Sequence, residues 1–487
     1  MISHSLLIPL VILIASLNLL IPFVSKNRSF MRSFLLIISS LFFFLNILIL
    51  DWFFLKRAVT SISLFNIGNY CFALHVEPYG LVFLNLLAFL WVYSLLYTLK
   101  YLEINNKNQD TSLFLFFMNL CVVLSILLAL SANLFTMFVS YELLTLATIP
   151  LIMYERNEEK WAGLYKYLST LMVSSLILFL PAIIVIYHRV GHGNFIIEGF
   201  IQNYFHKGQS MILLLMFIFG ISKAALYPLC RWLPAAMVAN YPTSALLHAV
   251  VVVKAGLFCI FKILTYVFGL SYLHSIFADF NWILIFPALT IIYSSFKALG
   301  TDNIKTILAY STINQLSISL LSAFMFTSKS VSAAIFHMIS HSFTKICLFY
   351  CAGIFYSLKR AYSLQDLQNL GSQAPASSFI FLLASLSLIG IPPFGGFISK
   401  FLIIIEALRQ NQMFVVVILG FSGIFSALYM WKINAILFDS NIPSTAGGAL
   451  RINYVPMSMN ITISSCAIII ILFFLIYKFV NQFLQFS

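Results

Sequence analysis

Four lysines in this chain stand inside long apolar stretches where nothing structural calls for a charge. Lys223 lies in GISKAALYPLCRWLPAAM, Lys254 in SALLHAVVVVKAG, Lys345 in AAIFHMISHSFTKICLFYCAG and Lys400 in GIPPFGGFISKF. An ammonium at the centre of a hydrocarbon layer costs at least about 3 kcal/mol on insertion scales, and Leu or Val would build the same core without that cost. Such cations are expected to move protons or ions; the bland alternative is a long stem that snorkels to the interface. Glu142, in ANLFTMFVSYELLTLATIPLIM, is the carboxylate that would match them, unless it reaches the headgroups from a helix end. Close to Glu142, the ammonium of Lys223 is stabilised. When such a pair loosens, loss of solvation favours the neutral amine and the proton leaves.

His337, His341 and Lys345 fall at i, i+4 and i+8, which places them on one helix face. Two histidines at that spacing could ligate a metal, but the Glu of H-E-x-x-H and a third ligand are missing. A proton relay suits them better, because imidazole titrates near neutral pH and exchanges protons through either nitrogen. Structural hydrogen bonding is the remaining reading. His248 shares a stretch with Lys254 and is a weaker relay candidate, and Lys166 reads as a membrane anchor or as an inner partner of the site.

The elements that must position these groups follow from composition. The chain has 487 residues, 62% hydrophobic and 8% charged, with a mean hydropathy of +1.01. A soluble domain carries about a quarter charged residues, so this is an all-α polytopic membrane protein. The net charge of +13 does not imply nucleic acid, because most Lys and Arg sit in short loops between apolar spans. Seven scattered cysteines form no C-x-x-C pair, and no zinc or Fe–S framework or other cofactor site is visible. There is no P-loop, no G-x-G-x-x-G and no nucleophile elbow.

Stretches of roughly 20 apolar residues mark spans. Fourteen are expected, near 5–24, 31–54, 79–100, 112–130, 133–153, 163–187, 210–230, 240–264, 280–298, 303–323, 331–356, 378–402, 412–437 and 457–480. The first lacks a small-residue cleavage site and is expected to be retained. Residues 59–78 alternate apolar and polar, which predicts a β-hairpin. Residues 194–206 repeat apolar positions at helical spacing, which predicts a helix lying in the interface. Asp51, Asp279, Asp302 and Asp439 read as span-end charges. One membrane domain is expected over 1–487, with N-terminal helices and hairpin in 1–109, helix groups in 110–265 and 280–437, and a last helix in 457–480.

Loops after odd spans carry about fifteen Lys and Arg, and those after even spans about eight, among them Lys262. The excess puts odd loops in the cytoplasm and both termini outside. Lys223, Lys254, Lys345 and Lys400 are the four that fit no loop. The seventh and twelfth stretches are both interrupted by Pro or Gly (Pro228 and Pro234; Pro392, Pro393, Gly395 and Gly396), and each carries one such lysine. Interruptions at corresponding positions of two halves are the mark of an inverted-repeat transporter.

SKAALYPLCRWLPAAM, SALLHAVVVVKAG, DNIKTILAYSTINQ, AAIFHMISHSFTKICLFYCAG and GIPPFGGFISKF together resemble the antiporter-like subunits of respiratory complex I and of Mrp-type multisubunit Na⁺/H⁺ antiporters. The resemblance covers roughly residues 110–435. It implies about fourteen transmembrane helices, two inverted five-helix repeats with broken seventh and twelfth helices, and one proton pathway. It matches Glu142 to the family's fifth-helix glutamate, Lys223 and Lys254 to the lysines of the seventh and eighth helices, and Lys400 to the twelfth-helix residue. His337, His341 and Lys345 match the histidines and lysine of the eleventh. Ala235 departs from the pattern, which has Asp in W-L-P-D, and this bears on the cytoplasmic-side loop.

The function expected from residues and resemblance is proton translocation within a monovalent cation (Na⁺)/H⁺ antiporter, alongside other membrane subunits in a bacterial cytoplasmic membrane. Lys400 and the chain length favour a D-type Mrp subunit; the histidine motifs resemble the large Mrp subunit or a complex I subunit, the alternative assembly. In neither is the chain expected to be an enzyme by itself. A stand-alone solute carrier would need a polar substrate cavity, and a membrane-embedded transferase would need a nucleophile or metal beside the histidines.

Overall fold

The computed structural model describes residues 7–25, 29–56, 61–68, 70–105, 110–154, 158–439, 455–473 and 475. Helices α1 (Leu7–Val24) and α2 (Ser29–Leu55) lead into a hairpin of β1 (Ser61–Ile67) and β2 (Tyr70–His75). Then come α3 (Pro78–Asn105), α4 (Ser112–Ala129), α5 (Leu134–Ile152) and α6 (Glu158–Ser174), which runs through a π turn at Ser175–Phe179 into α7 (Leu180–Val190). After α8 (Lys207–Gly220) the chain breaks and re-forms as the short α9 (Trp232–Ala235). One long rod follows: α10 (Tyr241–Ala245), a π turn at Leu246–Val250, α11 (Val252–Ile263) and a π turn at Leu264–Phe268. The remainder is α12 (Leu270–Ile276), α13 (Ile285–Leu299), α14 (Ile304–Ala323), α15 (Ser328–Lys359), α16 (Leu370–Gln373), α17 (Pro375–Ile389), α18 (Gly395–Arg409), α19 (Met413–Leu437) and α20 (Met457–Ile471).

Every predicted stretch falls on described helix, the last only in its first half. Among the described residues ten helices are long and apolar enough to cross a membrane; the pieces on either side of the first break, Lys207–Gly220 and Leu229–Val238, are shorter apolar helices. The seventh and twelfth stretches break between Gly220 and Trp232, at Pro228, and between Ile389 and Gly395, at Pro392 and Pro393; Pro234 falls inside α9, and Gly395 and Gly396 open α18. Two elements occupy the centre. The most apolar windows of Tyr241–Phe268 and Ser328–Lys359 are wholly buried, against 39% and 33% for the first two helices. A helix enclosed on all sides is a core helix, and these two carry Lys254, His248, His337, His341 and Lys345.

The hairpin forms as the alternation predicts, with Ser61 opposite His75, Ile67 opposite Tyr70 and a register shift between Ser63 and Phe65. Its second strand is stitched to the α4–α5 loop: the His75 N–H donates to Leu130 O at 2.7 Å, and the Ala132 N–H to Ala73 O at 3.0 Å. The loop in turn bonds residues after α7, with the Phe195 N–H on Ala132 O at 3.2 Å and the Ile196 N–H on Tyr266 O at 3.2 Å.

That last contact belongs to a segment that is not the interfacial helix its periodicity predicts. Residues 194–206 hold only a single 3₁₀ turn, Ile201–Asn203. Glu198 and Gly199 are left-handed, at φ 69 and 76°, and a Cβ on Gly199 would collide with the backbone of Phe268 and Gly269. The segment spends its backbone groups on the end of the central rod rather than on itself.

Four charges also lie elsewhere than the sequence suggests, one of them Lys160, buried at the start of α6. Lys262, counted as a loop cation, is fully buried near the hairpin-side end of the central rod, and Lys305 is buried at the start of α14. Asp51 is a buried residue of α2, where its carboxylate accepts a 3.0 Å hydrogen bond from Asn85 of α3. Asp302 does behave as a span-end charge, paired with Lys432 at 2.8 Å.

Candidate functional site

The first break brings a lysine onto α5. Lys223 sits in a 3₁₀ turn, Ser222–Ala224, and is wholly buried. Its ammonium donates to the main-chain carbonyl of Tyr141 at 2.5 Å and lies 3.6 Å from the centroid of the Tyr141 ring. Its own N–H donates to the Tyr141 hydroxyl at 3.2 Å. The sequence reading expects a direct Lys223–Glu142 ion pair, and the structure does not form one. Both Glu142 carboxylate oxygens are buried without a hydrogen-bond partner. The cause is local: consecutive residues of a helix point about 100° apart, and Lys223 occupies the side facing Tyr141.

The break is fastened by its neighbours. Ser174, just before the π turn, donates to the Ser222 hydroxyl at 2.6 Å, and the Trp232 indole donates to Ser222 O at 2.9 Å. On the other side Gly256 of α11 lets the break approach, since a Cβ there would collide with the Ala224 nitrogen and the Lys223 carbonyl carbon. Backbone contact through Gly256 is therefore what sets the Lys223 turn against the helix that carries Lys254.

From Lys254 onward the groups lie in sequence along one line, with direct contacts at Lys254–His341 and His337–Ser399. The Lys254 ammonium is 2.7 Å from His341 Nδ1. The His337 and His341 rings lie nearly parallel, 6.4 Å between centroids. His337 Nδ1 is 2.9 Å from the Ser399 hydroxyl, and Ser399 precedes Lys400. The Lys400 ammonium donates to Leu388 O at 2.8 Å and Ile389 O at 2.9 Å, the last carbonyls of α17 at the second break. A cation on the exposed carbonyls of a helix C-terminus is favoured by the helix dipole. The Nε2 atoms of both His337 and His341 are buried and have no hydrogen-bond partner.

His248 and Lys345 lie beside this line rather than in it. His248, in the π turn before α11, meets the Thr312 hydroxyl at 3.1 Å through Nδ1. Lys345 donates to Leu308 O at 3.0 Å and to the Ser311 hydroxyl, so both reach α14. The i+8 spacing puts Lys345 on the face of His341, but its long stem carries the charge to the α14 backbone. Lys166 is exposed, as an anchor would be.

Three further buried lysines, Lys160, Lys262 and Lys305, stand where the sequence reading counts loop cations. Lys262 pairs with Glu77 and donates to the carbonyl and the hydroxyl of Ser131, the hydroxyl at 3.2 Å. Its signal in the sequence is that it follows Lys254 by eight residues and so shares its helix face. Lys305 donates to Ala239 O at 2.5 Å and Met237 O at 3.3 Å, and lies 4.5 Å from the Tyr241 ring centroid. The chain just past Ala235 is thus held by a lysine on the carbonyls of residues 237 and 239.

These features define a multi-pass helical membrane protein with two broken helices and a buried line of basic side chains between them. The chain belongs to the family described as NADH:quinone oxidoreductase/Mrp antiporter, TM, which matches residues 131–426. Among its relatives is the A-type chain of the Na(+)/H(+) antiporter of Alkalihalophilus pseudofirmus, 30% identical over 74% of this chain and 47% of that protein. Another is the chloroplastic NAD(P)H-quinone oxidoreductase subunit 5 of Nandina domestica, 32% identical over 47% of this chain and 31% of that protein. The chain thus spans about half, or less, of the length of these relatives. Its fold is that of a chain in the Mrp complex from Dietzia sp. DQ12-45-1b, with a TM-score of 0.84 and 18% identity over 99% of this chain and 96% of that one. It is also that of a chain in an archaeal membrane-bound sulfane sulfur reductase, with a TM-score of 0.81 and 21% identity, covering 99% and 97%.

Proposed function

We propose that this chain is a proton-translocating subunit of a multisubunit Na⁺/H⁺ antiporter. The observation that carries the reading is the buried series Lys254, His341, His337, Ser399 and Lys400, which runs from the central rod to the second break in groups that donate, accept or exchange protons. Glu142 and Lys223 load the path at the first break. With the Glu142 carboxylate near, the ammonium persists; with Lys223 withdrawn onto Tyr141, desolvation favours the neutral amine, and the proton passes toward Lys254. The histidines hand it on through their two nitrogens. Lys400 exchanges it with the far side, and His248 and Lys345 set the field around Lys254.

The chain works as an ion-transport subunit, with protons and Na⁺ as its cargo and other membrane subunits as its partners. It crosses a bacterial cytoplasmic membrane many times, with the hairpin and both termini outside, as the loop charges favour. The two broken helices are the centres of two inverted five-helix repeats. The antiporter relative is of the A type, and an A-like or a D-like place in an Mrp assembly suits this chain equally.

The test is cation-dependent proton flux in everted membrane vesicles. Lys223→Ala and Glu142→Ala are each expected to abolish it with the complex still assembled, and flux unchanged in either would discard the reading. The 32% identity to a quinone oxidoreductase subunit favours a second assembly, a complex I-type proton pump. Co-purification decides between them: quinone-reducing partners would support the second, Mrp-type partners the first.

A further inference from the structure

We propose that Lys262 and Glu77 form the barrier that closes the relay toward the hairpin side, so that water and cations from that side stop short of Lys254. The proposal rests on the relay reading above and adds two residues to it in a positioning role; neither passes protons along the path.

The geometry sets Lys262 across the route. It follows Lys254 by eight residues on α11, about 12 Å along the axis at 1.5 Å per residue, on the same face and toward the hairpin. Its ammonium is enclosed by groups from four segments. Glu77, at the start of α3, pairs with it, Ser131 of the α4–α5 loop accepts from it, and the rings of Phe195 and Phe258 have centroids 4.3 and 5.5 Å away. Phe258 in turn stacks on Phe83 of α3 at 4.9 Å.

Water from the hairpin side has a place to stop. A cavity of about 440 Å³ is lined there by Tyr79, Glu198, Thr265, Ser271 and His274 among others, and neither Lys262 nor Glu77 is in its wall. Tyr79 and Thr265 of its wall are joined by a 3.4 Å hydrogen bond, with the Tyr266 ring 5.5 Å from that of Tyr79. Thr265 stands three residues outside Lys262. Backbone hydrogen bonds tie β2, the α4–α5 loop and residues 193–196 together at this same end.

The Lys262–Glu77 pair, wedged between the rings of Phe195 and Phe258, closes this constriction: hydronium or a metal cation would have to displace the ammonium from its buried carboxylate to pass, and separating a buried pair is costly. Glu77 keeps the charge in place and Ser131 aims it. The relay then opens to the hairpin side only beyond the second break, at Lys400, which one-way passage through the chain requires.

The experiment measures leak, with the chain assembled among its native neighbours in membrane vesicles. A pH gradient is imposed without sodium and its decay followed with a pH-sensitive dye. Lys262→Met, which keeps the volume and removes the charge, is expected to speed the decay several-fold; Lys262→Arg is expected to match the wild type. Adding Lys223→Ala to Lys262→Met should return the decay to wild type, because the leak runs through the relay. A leak that persists in the double variant leaves the barrier standing and counts against the relay instead. An assembled Lys262→Met chain that holds the gradient as well as wild type overturns the barrier.

A second measurement leaves Lys262 untouched. With the native cysteines replaced, Thr265→Cys should react with a membrane-impermeant thiol reagent from the hairpin side and Phe258→Cys should not. Labelling at position 258 from that side overturns the proposal.

Discussion

The ammonium of Lys223 rests 2.5 Å from the main-chain carbonyl of Tyr141, one residue short of the Glu142 carboxylate. Two seats therefore adjoin: a neutral one made of a carbonyl and a ring face, and a charged one whose oxygens are buried and unpartnered. A lysine that moves between them changes how firmly it holds its proton. Glu142→Gln removes the charged seat and should lower cation-dependent flux by about 100-fold, the scale on which a positioned proton-transfer group contributes. Tyr141→Leu keeps the carbonyl and removes the ring. It should cost far less, in line with about 0.5–2 kcal/mol for a cation–π contact. Dye quenching in everted vesicles reads both, and equal effects would show that the two seats are not distinct.

The 2.7 Å contact between Lys254 and His341 predicts a second dissection. His341→Gln can still hydrogen-bond the lysine but cannot take a proton on one atom and release one from another. It should leave the complex assembled and lower flux by about 100-fold or more. His248→Gln, beside the line, should cost clearly less than His341→Gln, short of the about 100-fold that a positioned proton-transfer group contributes. The reverse order of severity would move the path from α15 to the π turn before α11.

How much of this was legible follows from where each residue stands in the chain. Lys223, Lys254 and Lys345 lie well inside apolar runs, so hydropathy marks them as buried; Lys400 lies near the end of its run and stands out through the Pro- and Gly-broken motif it closes. Lys262 and Lys305 lie near the ends of such runs, where an anchor and a core lysine look alike in one dimension. What buries Lys262 is Glu77, 185 positions earlier, and no local pattern joins the two. The seat of Lys223 on Tyr141 was hidden for a related reason: pairing opposite charges ignores a carbonyl as a competing acceptor. At 194–206 the periodicity was real, but Glu198 and Gly199 turn the backbone left-handed and the central rod takes its hydrogen bonds.

Packing at the first break gives a prediction about stability. A Cβ at Gly256 would overlap backbone atoms of residues 223 and 224, which cannot rotate away as a side-chain tip would. Gly256→Ala should therefore destabilise by about 1–3 kcal/mol, as overpacking does, and lower flux by displacing Lys223. Gly420 of α19 has nothing within 4 Å of an added Cβ. Gly420→Ala should be neutral or stabilise by up to about 1 kcal/mol through helix propensity. Thermal unfolding of the detergent-solubilised complex checks the contrast, and a Gly256→Ala chain as stable as wild type would mean the break is not held by this contact.

Lys400 poses the sharpest choice between holding the fold and carrying protons, because its ammonium does something structural in plain view. It donates to Leu388 O and Ile389 O, carbonyls that α17 leaves open where it stops. Removing it strands two buried acceptors, so Lys400→Ala should destabilise by about 1–3 kcal/mol per stranded group and lose transport, an outcome either role explains. Lys400→Arg separates them. A guanidinium keeps the positive charge and several donors at the helix end, so the cap and the thermal midpoint should survive. It does not give up its proton in a protein, so a path that needs position 400 to release one should stop. Transport that continues in the arginine variant would make Lys400 a cap alone and move the exit of the relay back to His337 and Ser399.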